Sequence, residues 1–495
     1  MHSAAANSGV PAQSPAEALT PLYADRVRVY PRAVRGPVRR AKWMILTLCL
    51  AVYYLAPWLR WDRGPGEPHQ ALLLDMANRR GYFFAVEIWP QEVYYLAGLM
   101  ILAAIALFFV TSLFGRLWCG YACPQTVWTD LFLWAERLLE GDRAVRMQRD
   151  RSAWTLGKLA RKVTKHAIWL VIAALTGGAW VMYFYDAPTL VYDLITLNPT
   201  PGALFFIGLF TATTYLLAGW AREQVCTYMC PWPRFQSAMV DRNTLTVMYR
   251  EWRGEPRGKI GKGKLLEPRG DCIDCRSCVA VCPTGIDIRD GLQLPCIGCG
   301  LCIDACNQVM HRIGRPTDLI AFTSQAMRES KGTTVRDFTG AVRTALLRPR
   351  TIVYSAILLL GAVGMLWTLL SRSTYDLTVL ADRAPLFVRL SDGSLRNAYT
   401  VKILNKSAHE RDFALSVTGM PGTTMTIVEQ EGRSVDARDG VTLPVKPDSV
   451  GTFRMLLHAP GGAVRGGVPL EVVAHPLDGG ERAVTHATEF HGPAG

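Results

Sequence analysis

Charge is scarce in this chain. Only 19% of its 495 residues are Asp, Glu, Lys or Arg, against about 25% in an average soluble protein. Histidine is missing from the interior of every long apolar run. His166 stands at the edge of one, and His69, His311, His409, His458, His475, His486 and His491 lie outside them. That argues against intramembrane haem b, which needs axial ligands deep in the spans. There is no C-x-x-C-H, no G-x-G-x-x-G after a strand and no P-loop. Covalent haem, a Rossmann dinucleotide site and an ATP-driven pump are therefore unsupported. The last third of the chain has no cysteine at all, and the chain is too long for a small disulfide-stapled secreted module.

What is present is apolar. Half the residues are hydrophobic and 14 are Trp, far too much for a disordered chain. Five runs are long enough to span a bilayer, which needs about 20 residues: 43–59, 93–114, 167–185, 203–221 and 351–370. Basic residues set their orientation. Arg26, Arg28, Arg32, Arg35, Arg39, Arg40 and Lys42 precede the first run, and ten Lys/Arg lie in 116–165, but none in 187–202. The N-terminus, 116–165 and 222–350 are expected in the cytoplasm. The connectors 60–92 and 187–202, with everything after 371, are expected outside. The first run reads as a retained signal anchor with no small-residue cleavage site after it. Residues 1–24, rich in Ala, Ser and Pro, read as a disordered tail. The net charge of +13 is thus mostly topology, and no nucleic-acid module stands out.

The cysteines are ligands rather than disulfides, because twelve of the thirteen fall on the expected cytoplasmic side or at that face. Cys49 alone sits inside a run, as a small packing residue. Two runs share one spacing: Cys272-x2-Cys275-x2-Cys278-x3-Cys282-Pro283, then Cys296-x2-Cys299-x2-Cys302-x3-Cys306-Asn307. This is the bacterial two-cluster ferredoxin spacing, in which the fourth cysteine of each run ligates the other cluster. One [4Fe–4S] is therefore assigned to Cys272, Cys275, Cys278 and Cys306. The other is assigned to Cys296, Cys299, Cys302 and Cys282. Asn307 stands where a second proline is expected. Ile273, Val281, Ile286, Ile297 and Ile303 supply an apolar jacket.

A second pattern is repeated about 107 residues apart: Cys119-Gly120-Tyr121-Ala122-Cys123-Pro124 and Cys226-Thr227-Tyr228-Met229-Cys230-Pro231. Both copies read C-x-Y-x-C-P and follow an outward-to-inward span. Cysteines four apart share one face of a helix, and the proline ends or kinks it. Cys119, Cys123, Cys226 and Cys230 can then converge at the cytoplasmic face, beside the ferredoxin region. Such thiols suit Cu(I), a further iron–sulfur cluster or a redox disulfide, and the pattern leaves the three open.

Residues 251–270, with Gly258, Gly261, Gly263 and Gly270, read as a flexible basic linker, and 317–349 as a helix or loop. After the last span come short β runs: 375–381, 386–390, 398–404, 412–418, 424–429, 452–457 and 469–474. They predict an immunoglobulin-like sandwich without the usual cysteine pair. The expected fold class is a multi-domain membrane protein. It combines an α-helical membrane part of about five spans, a bacterial two-[4Fe–4S] ferredoxin-like domain and a C-terminal all-β Ig-like sandwich. The expected divisions are 1–41 (basic tail), 42–221 (four spans), 222–349 (ferredoxin-like), 350–371 (fifth span) and 372–495 (sandwich).

These features together resemble the CcoG/FixG/RdxA family of bacterial cytochrome c oxidase accessory proteins, over nearly the whole chain. Asn78-Arg79-Arg80-Gly81-Tyr82-Phe83 and Trp89-Pro90-Gln91-Glu92 also look like that family's first outer connector. The resemblance implies an inner-membrane location and reduction of Cu(II) to Cu(I) for assembly of a cbb3-type oxidase. Copper would be substrate or bound ion at Cys119, Cys123, Cys226 and Cys230. A cytoplasmic electron donor, a copper chaperone or transporter, and oxidase assembly factors are the implied partners, and self-association is left open. Two other readings stand beside it: a membrane electron-transfer subunit linking quinol and a redox partner, and a non-enzymatic assembly scaffold.

Overall fold

The computed structural model describes residues 28–493, apart from 65–66, 260–268, 332–334, 408, 429–433, 438–439, 461–463, 465 and 480–481. The expected tail 1–24 and residues 260–268 of the expected linker 251–270 lie outside the described residues. The chain divides into two compact units, one of residues 1–63 and 67–362, the other mainly 363–495.

The first unit opens with helix α1 (Pro37–Leu55), whose Pro37 sits in the first turn, where its missing N–H costs nothing. A small antiparallel sheet follows, β1 (Leu72–Asp75), β2 (Arg80–Phe83) and β3 (Val86–Ile88). Then come α2 (Tyr94–Phe114), the short α3 (Leu117–Tyr121), the amphipathic α4 (Pro124–Glu140), α5 (Arg143–Arg151), α6 (Leu156–Val181), α7 (Ala187–Ile195) and α8 (Pro201–Thr214). From Tyr215 to Ala221 the helix widens to π geometry, and Val225–Met229 repeats it. The ferredoxin region contains α9 (Trp232–Met239), β4 (Thr246–Tyr249), α10 (Glu251–Gly254), α11 (Ser277–Val281), α12 (Leu301–Arg312) and β5 (Ile320–Thr323), with β4 and β5 antiparallel. Helices α13 (Gln325–Glu329) and α14 (Val335–Leu347) lead to α15 (Pro349–Leu370).

Among the described residues, four helices are long and apolar enough to cross a membrane: Pro37–Trp58, Pro90–Phe114, Pro201–Ala221 and Pro349–Leu370. The expected span 167–185 is not one of them. It is the apolar second half of α6, which carries Lys158, Arg161, Lys162 and Lys165 in its first half, packs along α8 and ends at Val181. Its far end meets the connector 60–92, where Leu74 N donates to Tyr183 O at 2.8 Å. The ladder tightens there, with Tyr183 N donating to Trp180 O (3.2 Å) and Phe184 N to Val181 O (2.9 Å). Asp186 then caps α7 through Thr189 N. The linker reading of 251–259 is also corrected: Gly258 N donates to Cys272 O at 3.1 Å, so this stretch lies along the first cysteine run.

The second unit is a sandwich. One sheet has the order β11 (Ser434–Ala437), β10 (Thr424–Val428), β13 (Ser449–Ala459), β8 (Leu395–Asn405), β6 (Tyr375–Ala381), with β7 (Val388–Arg389) also on β8. The other runs β12 (Val441–Val445), β9 (Arg411–Thr418), β14 (Gly467–Pro476), β15 (Val484–His491). Alternate side chains of each strand turn inward. Tyr375, Tyr399, Val401, Phe413, Leu415, Met455, Val472 and Phe490 form the core between the sheets. Strands β11, β12 and β15 escaped the sequence reading. β12 contains Pro444 and β15 contains Thr485, His486 and Thr488 in place of a β-branched apolar run.

Candidate redox centre

The C-x-Y-x-C-P copies fold alike, but not as one helix. Helix α3 ends at Tyr121, and Cys123 is extended (φ −60°, ψ 129°) before Pro124 opens α4. In the second copy the π turn ends at Met229, and Cys230 is extended (φ −79°, ψ 122°) before Pro231. A residue preceding proline is driven out of the helical region by the proline ring. The expectation that each cysteine pair shares one helix face is therefore corrected: the first cysteine sits in a closing turn and the second on the extended residue that follows. Pro124 starts a new helix as well as ending the old one.

The two copies meet. Cys119 is in electrostatic range of Cys123, Cys226 and Cys230. Cys123 also faces Cys230, and Cys226 faces both Cys123 and Cys230. Burial, then sulfur crowding, pushes the Cys119 thiol up to about 12 and the Cys226 thiol up to about 11. Burial also raises Cys123. Thiols held this way stay protonated at neutral pH unless a cation compensates, which is the donor chemistry of a soft-metal site. Cys119 Sγ donates to Gln236 Oε1 at 3.1 Å, and Gln236, fully buried, donates from Nε2 to Thr111 Oγ1 at 3.3 Å.

The eight cysteines of the ferredoxin region separate into two groups. Cys306, carried on α12, faces Cys272, Cys275 and Cys278. Cys302 faces Cys299, Cys296 and Cys282 most strongly, and Cys278 of the first group after them. An apolar cavity is walled by Cys282, Cys296, Cys299 and Cys302, together with Cys278, Ile286 and Ile297. Burial, the largest cause in each case, raises the thiols of Cys278 (to about 11), Cys296 and Cys306 (each to about 12), and also those of Cys299 and Cys302. These sets fit iron–sulfur ligation: sulfur donors, an apolar wall, and thiols whose ionisation a bound cation would have to favour. Val281, Ile297 and Ile303 of the expected jacket are buried, and Ile286 packs against the core that holds Ile303. Cys275 is exposed, whereas Cys299 is buried.

Asn307 does not replace the turn that Pro283 makes. The chain continues as α12 through Cys306 to Arg312. Asn307 instead locks onto Asp318, donating from Nδ2 to Oδ1 at 3.0 Å and accepting from Asp318 N at 2.8 Å.

The thiol site and the second group share one apolar core, in which Cys119 and Cys226 pack with Ile297, Cys299, Leu301 and Cys302. A Cβ on Gly120 would lie 2.8 Å from Ile297 O and 2.9 Å from Cys299 Cα, so only glycine lets the two backbones approach this closely. Asp304 on α12 caps α1, accepting from Arg39 N at 2.7 Å and Val38 N at 3.3 Å. Arg116, Gln236 and Asp304 were not singled out from the sequence, because no local spacing marks a residue that acts across separate elements.

Three family models match the chain. A 4Fe-4S dicluster domain matches 221–325, a 4Fe-4S binding domain matches 96–141, and the Ig-like fold at the C-terminus of FixG matches 365–493. With four apolar helices, the architecture defines a multi-domain, membrane-type iron–sulfur electron-transfer protein with an Ig-like C-terminal domain. The nitrogen fixation protein FixG of Rhizobium meliloti is 48% identical over 465 residues, covering 89% of this chain and 88% of that one. Protein RdxA of Cereibacter sphaeroides is 49% identical over 443 residues (90% and 92%), and RdxB of the same organism 51% over 431 residues (84% and 90%). The chain belongs to the FixG/RdxA family.

Proposed function

We propose that this chain is a cupric reductase of a bacterial inner membrane, reducing Cu(II) to Cu(I) for assembly of a cbb3-type cytochrome c oxidase. The observation that carries the reading is the meeting of Cys119, Cys123, Cys226 and Cys230 against the core that holds Cys299 and Cys302. Cys272, Cys275, Cys278 and Cys306 are assigned to one [4Fe–4S] cluster, and Cys296, Cys299, Cys302 and Cys282 to the other. When bound, the clusters supply single electrons, the stoichiometry of Cu(II) + e⁻ → Cu(I).

The chain's own residues do the rest. Thiolates bind soft Cu(I) well, so the four membrane cysteines favour the reduced ion and pull the equilibrium toward it. Gln236 orients Cys119. The exposed Cys275 offers the approach for a cytoplasmic electron donor. Chain contacts and charge support the sidedness of this reading. Arg32 N donates to Ala280 O at 2.8 Å and Asp304 caps α1, so the basic N-terminal flank and the ferredoxin region share one side. The excess of Lys and Arg supports a cytoplasmic location for that side, and with α6 counted as a crossing this reading carries the sandwich to the periplasm. A copper chaperone or transporter and oxidase assembly factors are the partners this reading requires.

The test is to purify the protein anaerobically, reduce it and add Cu(II). Cluster bleaching is then followed against Cu(I) captured by a chromophoric chelator. Stoichiometric Cu(I) with matching cluster reoxidation supports the reductase. Reoxidation by a quinone analogue but not by copper moves the assignment to an electron-transfer subunit. One observation favours a second reading of the thiol site. The 4Fe-4S binding model covers 96–141, and with it Cys119 and Cys123, so the four cysteines could hold a third cluster. Iron near 12 rather than about 8 atoms per chain would decide for it, given four irons per [4Fe–4S] cluster.

A further inference from the structure

Arg116 stands between α2 and α3, only 9% exposed. Its guanidinium is held by three backbone carbonyls from two distant segments. Nη1 donates to Cys296 O at 3.1 Å and to Leu294 O, and Nη2 donates to Pro233 O at 2.5 Å. Leu294 and Cys296 belong to the loop that enters the second cysteine group. Pro233 lies just after the second C-x-Y-x-C-P copy, and Arg116 itself lies just before the first. The loop also rests on the Arg116 backbone: Gly298 has φ +67°, and a Cβ there would lie 3.3 Å from Arg116 C and O.

The same cation lies in electrostatic range of Cys119, Cys226, Cys230 and Cys296. It is the cation set against the crowding of sulfurs around Cys119 and Cys226. Lys42 plays that part at the far side of the second group, facing Cys299. A guanidinium does not deprotonate in proteins, and its planar fork reaches several acceptors at once, as an ammonium cannot.

We infer that Arg116 is a positioning residue that couples the four-thiol site to the second cysteine group, by fastening both to one fixed positive charge. The inference rests on the ligand and copper readings proposed above. One charge between two anionic sites has a definite consequence. It favours thiolates on one side and the more negative, reduced state on the other. Because the same guanidinium ties the backbones of both segments, a displacement at either site is carried to the other.

The experiment uses full-length protein with Arg116→Gln and Arg116→Lys. Potentials are read by EPR-monitored redox titration, and Cu(I) affinity by competition with a chromophoric chelator. In Arg116→Gln the second cluster's reduction equilibrium is expected to move at least tenfold toward the oxidised form, ~59 mV for a one-electron couple. The first cluster serves as the internal control and stays put. Cu(I) affinity is expected to fall at least tenfold. Arg116→Lys, which keeps the charge, should retain most of the potential. In the unaltered protein, loading Cu(I) should shift the second cluster and not the first, and Arg116→Gln should weaken that shift. A second cluster that keeps its potential in Arg116→Gln would overturn the inference, as would unaltered protein that binds Cu(I) with no change in either cluster. The Cu(I)-loading arm needs no variant, so it still decides if Arg116→Gln does not fold. Absence of Cu(I) binding in the unaltered protein would instead defeat the copper reading, and the potential arm, read without copper, would still judge Arg116.

Discussion

Gly120 stands against the backbone of Cys299 with no room for a side chain: a Cβ would lie 2.9 Å from Cys299 Cα and 3.0 Å from its N. One repeat copy thus abuts the loop of a proposed cluster ligand. Gly120→Ala must push backbone against backbone, and overpacking of this kind costs about 1–3 kcal/mol. Slower copper reduction and a perturbed second-cluster EPR signal are expected, with the first cluster's signal intact. A variant with an unchanged rate and unchanged spectra would show that the close approach has no functional role.

Cys306 and Cys282 test the exchange of ligands between the two runs. Cys306→Ala should remove the cluster whose other ligands are Cys272, Cys275 and Cys278. Cys282→Ala should remove the one held by Cys296, Cys299 and Cys302. Each variant should lose about half of its iron. EPR of each variant against single substitutions at Cys275 and Cys299 identifies the surviving cluster. Loss of the opposite cluster would mean that each run binds its own.

Cys226 packs with the second group but is not among its assigned ligands. Cys226→Ala is expected to abolish copper reduction and leave both cluster spectra in place. The readout is Cu(I) yield beside the visible and EPR spectra of the same sample. A variant that lost a cluster would defeat this division of roles.

Protonation gives the thiol site a pH dependence. With Cys119 raised to about 12 and Cys226 to about 11, the free thiols hold their protons at neutral pH, and binding Cu(I) must release them. Apparent Cu(I) affinity is therefore expected to rise with pH between about 6 and 9, since these pKa values lie above that whole window. Chelator competition at several pH values measures the slope. A flat profile would mean that the thiols are already ionised before the metal arrives.

Asp130 joins α4 to α1. Its Oδ2 lies 2.8 Å from Arg39 Nη1 and 3.1 Å from Lys42 Nζ. Burial opposes its ionisation, but Lys42 and Arg39 outweigh burial and hold the carboxyl below the usual range. A group depressed in this way contributes above its unfolded pKa, and its contribution is lost only as pH falls through the folded value. Asp130→Ala leaves two cations buried and uncompensated, a loss of about 3–5 kcal/mol. A lower thermal midpoint of the detergent-solubilised protein is the expected result.

Much of this protein was legible locally. The x2 spacing of Cys272, Cys275 and Cys278 places three sulfurs on one loop whatever the rest of the chain does. A run as apolar as 93–114 can only be buried or lipid-facing, and it is a single helix, α2. Strands such as 375–381 followed from β-branched and aromatic residues between turn signals, and β6 has those bounds. The failures were also local in origin. Apolar content carried the run 167–185 past the end of its helix, because it did not register the turns after Val181.

Chain spacing by itself determined which residues could hold metal, where proline would interrupt a helix and which runs were apolar enough to leave water. Those properties depend on neighbours a few positions apart. Only the tertiary structure decided that Cys119 meets Cys226, that Gly120 lies on Cys299, that Arg116 is clamped by Pro233 and Cys296, and that Asp304 caps α1. Each of these joins segments about a hundred or more residues apart. Their meeting is set by how helices and loops pack, which the sequence near each residue does not encode.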